Sequence, residues 1–205
     1  MVRTPEALDV AVSQLADREP AFAALLEAHG RPEPRSSEAG PHTLLRTIVG
    51  QQVSVAAARS MWSKLEAAYG TPPDLATILK ASDEDLRTAG LSRQKAGYAR
   101  SLAQLVLSGE LDLFNLPADD EEAITLLTRI KGIGRWSAEI YLLFAEGRPD
   151  IWPAGDLAVQ IAVGRMLGAK TRPSEKALRE LAEPWRPHRG AAALMAWHSY
   201  NNPVI

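Results

Sequence analysis

The chain contains no cysteine in its 205 residues. That absence excludes a disulfide, a thiol nucleophile, a cysteine-ligated zinc and an iron–sulfur cluster. No apolar run approaches the roughly 20 residues needed to span a bilayer. The opening stretch, MVRTPEALDV, also lacks the apolar core of a secretory signal. A cytoplasmic protein without a membrane partner is the expectation. Excess positive charge is missing too: the formal net charge is −2, whereas a nonspecific nucleic-acid coat is basic. Binding to DNA through one small patch is compatible with that balance, because net charge is blind to where the charges sit. His42, His188 and His198 lack the spacing to carboxylates that metal ligation needs. Sustained alternation of apolar and polar residues is absent as well, as are low-complexity segments and repeats of fixed period. The chain therefore reads as all-α.

Helical signals run along the whole sequence. Short helices are expected over 5–16 and 21–29, followed by a proline-rich loop. A stripe of Leu44, Leu45, Ile48 and Val49 marks the next helix, which Gly50-Gln51-Gln52 interrupts. A helix over 53–69 follows, with Ser54 as its cap. Two brief helices over 75–80 and 83–89, the second capped by Ser82, lead into a long one ending near 107. The remaining helices are expected to end near 167, to span 174–182 and to span 190–200. A core of this size suits one domain of two close lobes. The boundaries expected are roughly 1–50 with 157–205 for a lobe of terminal helices, and 51–156 for the other.

The segment 123–160, AITLLTRIKGIGRWSAEIYLLFAEGRPDIWPAGDLAVQ, concentrates the features that point to chemistry. Leu126, Leu127 and Ile130 have helical spacing, and Lys131-Gly132-Ile133-Gly134 then breaks the helix. A second apolar helix resumes from Trp136. Two readings stand for this hairpin. It is an ordinary helix–turn–helix corner, or its backbone N–H groups bind one DNA phosphate with Lys131 and Arg135 adding charge. Asp156 stands 22 residues after Gly134, just ahead of an apolar helix. It suits an N-cap, and a capping carboxylate is rigidly oriented and stays ionised near the helix's positive end. Such a group can stabilise a developing oxocarbenium ion or activate a water, the two tasks of glycosidic cleavage.

Together the hairpin and the aspartate resemble a known family. The segments 44–60 (LLRTIVGQQVSVAAARS), 127–145 (LTRIKGIGRWSAEIYLLFA) and 151–160 (IWPAGDLAVQ) are similar to the helix–hairpin–helix DNA glycosylases. GIGRW points to the 3-methyladenine DNA glycosylase II, or AlkA-like, branch, and the likeness covers about 41–200. The resemblance implies base-excision repair: DNA is bent, a damaged nucleotide is flipped into a pocket, and its N-glycosidic bond is cut. It further implies a two-lobed helical fold with the active site in the cleft between lobes.

By the same resemblance, Asp156 matches the catalytic aspartate, and Lys131, Gly132, Ile133, Gly134 and Arg135 form the DNA-gripping hairpin. Main-chain carbonyls of Thr128, Ile130 and Gly132 match those that hold a monovalent cation, Na+ or K+, with no other cofactor implied. Trp136 and Trp197 match tryptophans lining the pocket for an alkylated base. Either tryptophan also suits the core. An exposed indole face would attract an electron-poor base by cation–π interaction. Ile140 falls where a relative has a pocket aromatic, which widens the pocket or makes it less aromatic. Gln52 aligns with the wedge that fills the gap in the base stack, with Gln51 bracing the backbone. Trp152 and Trp185 are assigned to packing.

Family members that also nick the strand carry a lysine immediately after the hairpin for a Schiff base. Here that place is taken by Trp136, which implies a monofunctional hydrolase that leaves an abasic site. A cationic base departs as a neutral molecule and needs no general acid. The expected partner is duplex DNA containing alkylated bases, bound by a monomer that is nucleoid-associated when engaged. A non-catalytic damage-recognition or architectural protein using the same hairpin is the alternative from another class. An oxidised-base glycosylase with lyase activity would need the missing lysine.

Overall fold

The computed structural model describes residues 4–202, and within them the secondary structure is helical throughout, without a β-strand. The α-helices in chain order are α1 (Pro5–Arg18), α2 (Pro20–His29), α3 (Pro41–Gly50), α4 (Val55–Tyr69), α5 (Leu75–Lys80), α6 (Asp83–Thr88), α7 (Arg93–Leu107), α8 (Asp120–Leu127), α9 (Arg135–Tyr141), α10 (Leu157–Met166), α11 (Glu175–Leu181) and α12 (Arg189–Asn201). A π-helical turn, Leu142–Glu146, prolongs α9, and a short 3-10 turn, Glu183–Trp185, precedes α12. No helix among the described residues is long and apolar enough to cross a membrane.

Side-chain caps fix many of these boundaries. Ser54, Ser82, Ser92 and Ser174 each accept the amide three residues on, starting α4, α6, α7 and α11. Each supplies an acceptor to an N–H that the helix itself leaves unpaired. The helix leading into the hairpin stops earlier than the apolar spacing suggests. It ends at Leu127, and Ile130 packs as a fully buried turn residue instead.

The chain divides into two units, Glu38–Tyr141 and the pair of segments Met1–Ser37 and Leu142–Ile205. These bounds differ from the expected ones at both joints. Helix α3 belongs with the hairpin unit, because Leu44, Leu45, Ile48 and Val49 are buried and α3 packs on α4 and α7. The segment carrying Asp156 belongs with the terminal helices, because its side chains bond to groups on α11 and α12.

In the hairpin unit, α7 presents Ala96, Ala99, Leu102 and Ala103 as a buried stripe, against which α3, α5 and α6 pack. The small alanines allow close helix approach, and the buried leucines supply the hydrophobic stabilisation, about 1.5–3 kcal/mol for each fully buried side chain. In the terminal unit, Leu8, Val12 and Leu15 of α1 and Phe22 of α2 are buried with most of α12. Trp185 meets Phe22 and Trp152 edge-on, at centroid distances of 4.9 and 5.4 Å. Trp152 also donates its indole N–H to the Leu178 carbonyl at 3.0 Å. Both tryptophans are packing residues, as expected. Asp150 ties the approach to Asp156 onto α12 by accepting from Arg189 Nη2 at 2.9 Å and Arg186 Nη1 at 2.6 Å.

Candidate active site

In the terminal unit, Asp156 caps α10, its Oδ1 accepting the Val159 amide at 3.0 Å. The same oxygen accepts the indole N–H of Trp197 at 3.1 Å. Two donors from two helices thus fix the orientation of the carboxylate. Gln160, buried one turn further along α10, donates to the Ala154 carbonyl at 2.9 Å and holds the loop that delivers Asp156. Trp197 is 8% exposed, with its ring 5.7 Å from that of Phe144. Of the two readings left open for Trp197, burial and the bond to Asp156 make it a neighbour of the carboxylate held in the core.

The hairpin unit carries the other features. Gly132 has φ +84°, a left-handed conformation that L side chains rarely adopt. A Cβ there would lie 2.2 Å from the Tyr98 ring, so the fold itself demands glycine. Gly134 is different: its φ lies outside that region and a Cβ would meet nothing within 4 Å. The space beside Gly134 is open to another molecule.

Several hairpin groups serve the protein's own structure. The Lys131 amide donates to Ser101 Oγ at 3.1 Å. Ile133 is buried and its amide closes the turn on the Ile130 carbonyl at 3.0 Å. These two N–H groups are engaged within the protein, whereas the Lys131 side chain is exposed. Arg135 departs furthest from expectation. Its Nε donates to Glu139 Oε1 at 2.9 Å, and Nη1 and Nη2 grip the carboxylate of Glu121, Nη1 at 2.8 Å. The bond to Glu121, with further help from Glu139, raises its pKa above the ordinary arginine value.

Beside the hairpin lies a cavity of about 910 Å³, walled by Gln51, Gln52, Lys95, Tyr98, Gly132 and Trp136 among others. Trp136 is 46% exposed, which removes the core reading for this residue. Ile140 is half-buried and does not line the cavity. Gln51 donates its side-chain amide to the Gly132 carbonyl at 2.8 Å, bracing the backbone as expected and tying the loop to the hairpin. Gln52 is exposed with φ +55°, the one non-glycine residue at positive φ among those described. Strained backbone of this kind collects at functional sites. Lys95 Nζ donates to the Val49 carbonyl at 2.7 Å, so the end of α3 is pinned just before the loop turns. Burial lowers the pKa of this ammonium.

The carbonyls of Ile130 and Gly132 each accept one of these internal bonds. A carbonyl oxygen has two lone pairs, so their donor chemistry still fits a hard monovalent cation.

Sequence reasoning missed Tyr98, Lys95, Gln160, Glu121 and Glu139. Only the i, i+4 spacings of Arg135 to Glu139 and Asp156 to Gln160 offered a signal.

Comparison with known proteins gives a consistent family. The model described as HhH-GPD superfamily base excision DNA repair protein matches residues 45–187. The putative DNA-3-methyladenine glycosylase YfjP of Bacillus subtilis is 28% identical over 164 residues, covering 76% of this chain. The chain spans 57% of that relative's length over the match. Among solved structures, the DNA-3-methyladenine glycosidase of Bacillus halodurans superposes with a TM-score of 0.85 at 30% identity, covering 97% of this chain and 90% of that one. The Schizosaccharomyces pombe 3-methyladenine DNA glycosylase in complex with abasic DNA gives 0.78 at 26% identity, covering 93% and 96%.

Proposed function

Because the chain belongs to the HhH-GPD superfamily of base excision DNA repair proteins, we propose that it hydrolyses the N-glycosidic bond of alkylated bases in duplex DNA. The substrate class is the 3-methyladenine type, and the product is an abasic site on an unbroken strand. The names of the similar proteins, a putative DNA-3-methyladenine glycosylase and a DNA-3-methyladenine glycosidase, support this choice of substrate.

The observation that carries the reading is the carboxylate of Asp156, with two N–H donors on one oxygen. A carboxylate fixed in advance stabilises the positive charge that develops on the sugar without having to reorganise during the reaction. As the C1′–N bond breaks, its electron pair goes to the base, which leaves neutral if it began as a cation. Water then adds to C1′ and loses a proton, completing the hydrolysis. The exposed indole of Trp136 offers a π-face to the electron-deficient base.

The open side of Gly134 supports a close approach by the DNA backbone, with Lys131 supplying charge. Gln52 would act as the wedge, held ready by its strained backbone and by the brace from Gln51. The carbonyls of Thr128, Ile130 and Gly132 would hold a structural Na+ or K+ that steadies the turn. The reading includes action as a monomer, at the nucleoid in the cytoplasm.

Base release from duplexes carrying 3-methyladenine, 7-methylguanine, 1-methyladenine, ethenoadenine or a deaminated purine tests the proposal. Release of at least one alkylated base, with no adduct trapped by borohydride, is the expected result. Tight binding to abasic DNA without release from any duplex would replace it with a damage-recognition protein.

A further inference from the structure

We propose that Arg135 is a positioning residue that clamps the two arms of the hairpin together, and that it makes no phosphate contact. The proposal rests on the reading of the hairpin as the DNA grip. Arg135 opens α9 at the exit of the turn, where a cation beside two glycines looks like a phosphate ligand. Its guanidinium is spent elsewhere. One edge forks onto Glu121 in the first turn of α8, and Nε turns inward to Glu139 on α9. A planar fork matched to a carboxylate is the strongest and most directional ion pair that arginine forms.

The charges and burial explain why this arrangement holds when DNA arrives. Glu139 is 2% exposed on its side chain, against 67% for Glu121. Turning Arg135 out toward a phosphate would take the guanidinium from a buried carboxylate, and breaking such a pair costs more than a surface contact returns. Both carboxyl groups already face the guanidinium, so its donors on those edges point at protein oxygens. What it does is join residue 121 to residues 135 and 139, across the turn that holds Gly132 and Gly134. The spacing of α8 and α9, and hence the shape of the turn, then depends on Glu121 as much as on Arg135. Lys131 remains as an exposed cation between the two arms.

The test is fluorescence anisotropy of an abasic-site duplex over a salt series, with Lys131→Gln, Arg135→Gln, Arg135→Lys, Glu121→Gln and the Glu121→Gln/Arg135→Gln double variant. Each phosphate contact contributes roughly one unit to the slope of log affinity against log salt. Lys131→Gln is expected to lower the slope by about one. Arg135→Gln and Glu121→Gln are each expected to weaken binding about three- to tenfold with the slope unchanged, and the double variant no further than Arg135→Gln alone. Arg135→Lys keeps the charge but not the fork, and is expected to bind as poorly as Arg135→Gln.

A slope reduced by about one in Arg135→Gln, tighter binding by Glu121→Gln through loss of a repelling charge, or wild-type binding by Arg135→Lys would each overturn the proposal. Glu121 is the more exposed partner, so its variant keeps the test open if Arg135→Gln fails to fold. If wild type binds no duplex, the DNA-grip reading fails instead. The coupling of Glu121 to Arg135 is then read from urea midpoints of the same variants, where additive losses would overturn the clamp.

Discussion

The indole N–H of Trp197 donates to Asp156 Oδ1, the oxygen that also caps α10. The carboxylate is therefore tied to α12 as well as to its own helix. Trp197→Phe keeps an aromatic ring beside Phe144 but removes the N–H together with part of the buried ring volume. A hydrogen bond to a charged group is worth about 1.5–3 kcal/mol, so we predict that single-turnover base release slows by roughly ten- to a hundredfold. Unfolding midpoints measured alongside should fall through the lost buried volume, and rates are compared where both proteins are fully folded. A wild-type rate would show that the bond does not orient the carboxylate for reaction.

The two hairpin glycines should separate stability from binding. Gly132→Ala forces a side chain into a left-handed backbone and into the Tyr98 ring, which predicts a loss of roughly 2–4 kcal/mol in urea unfolding. Gly134→Ala meets no atom of the protein, so stability should change by less than about 1 kcal/mol. Its cost should appear in affinity for abasic duplex DNA. Unchanged affinity would mean that the open space beside Gly134 does not face the phosphate.

Stability should also fall in mild acid through His188. Burial, helped by the nearby Arg18, lowers its pKa in the folded chain, where the ring contacts the Gln14 side-chain oxygen. The sign follows from which state takes the proton first. As pH falls below about 6.5 the unfolded chain protonates before the folded one. The stability contributed by the neutral ring is therefore present above that pH and is lost as pH falls through the folded value. Urea midpoints at pH 7.5 and 5.5 should diverge more for wild type than for His188→Gln. Equal divergence would remove His188 as the cause.

Local chemistry was legible in the sequence wherever a residue acts on its near neighbours. Ser54 and Ser82 were placed as caps because an N-cap bonds within three residues. Asp156 is legible as a cap by the same rule, and the all-α class follows from periodicity, whereas the two-lobed fold rests on the family resemblance. Contacts made at a distance left no such trace. Trp197 lies 41 residues from Asp156, so nothing local chose between pocket and core for it. The Tyr98 ring against Gly132, and the Glu121 carboxylate on Arg135, are products of tertiary packing. For Arg135 the charge is visible in the sequence and its carboxylate partner on α8 is not. The lobe boundaries shifted for a similar reason, since α3 is assigned by what it packs against rather than by its own pattern.

The central claim is that Asp156 supplies both the helix cap and the catalytic carboxylate. Asp156→Asn separates the two roles, because asparagine caps a helix about as well as aspartate but carries no charge for the sugar cation. The most direct measurement is single-turnover release of 3-methyladenine or 7-methylguanine by this variant, with its unfolding midpoint recorded in parallel. The account predicts a near-native midpoint and a rate lower by at least about a hundredfold. Release at the wild-type rate would contradict it.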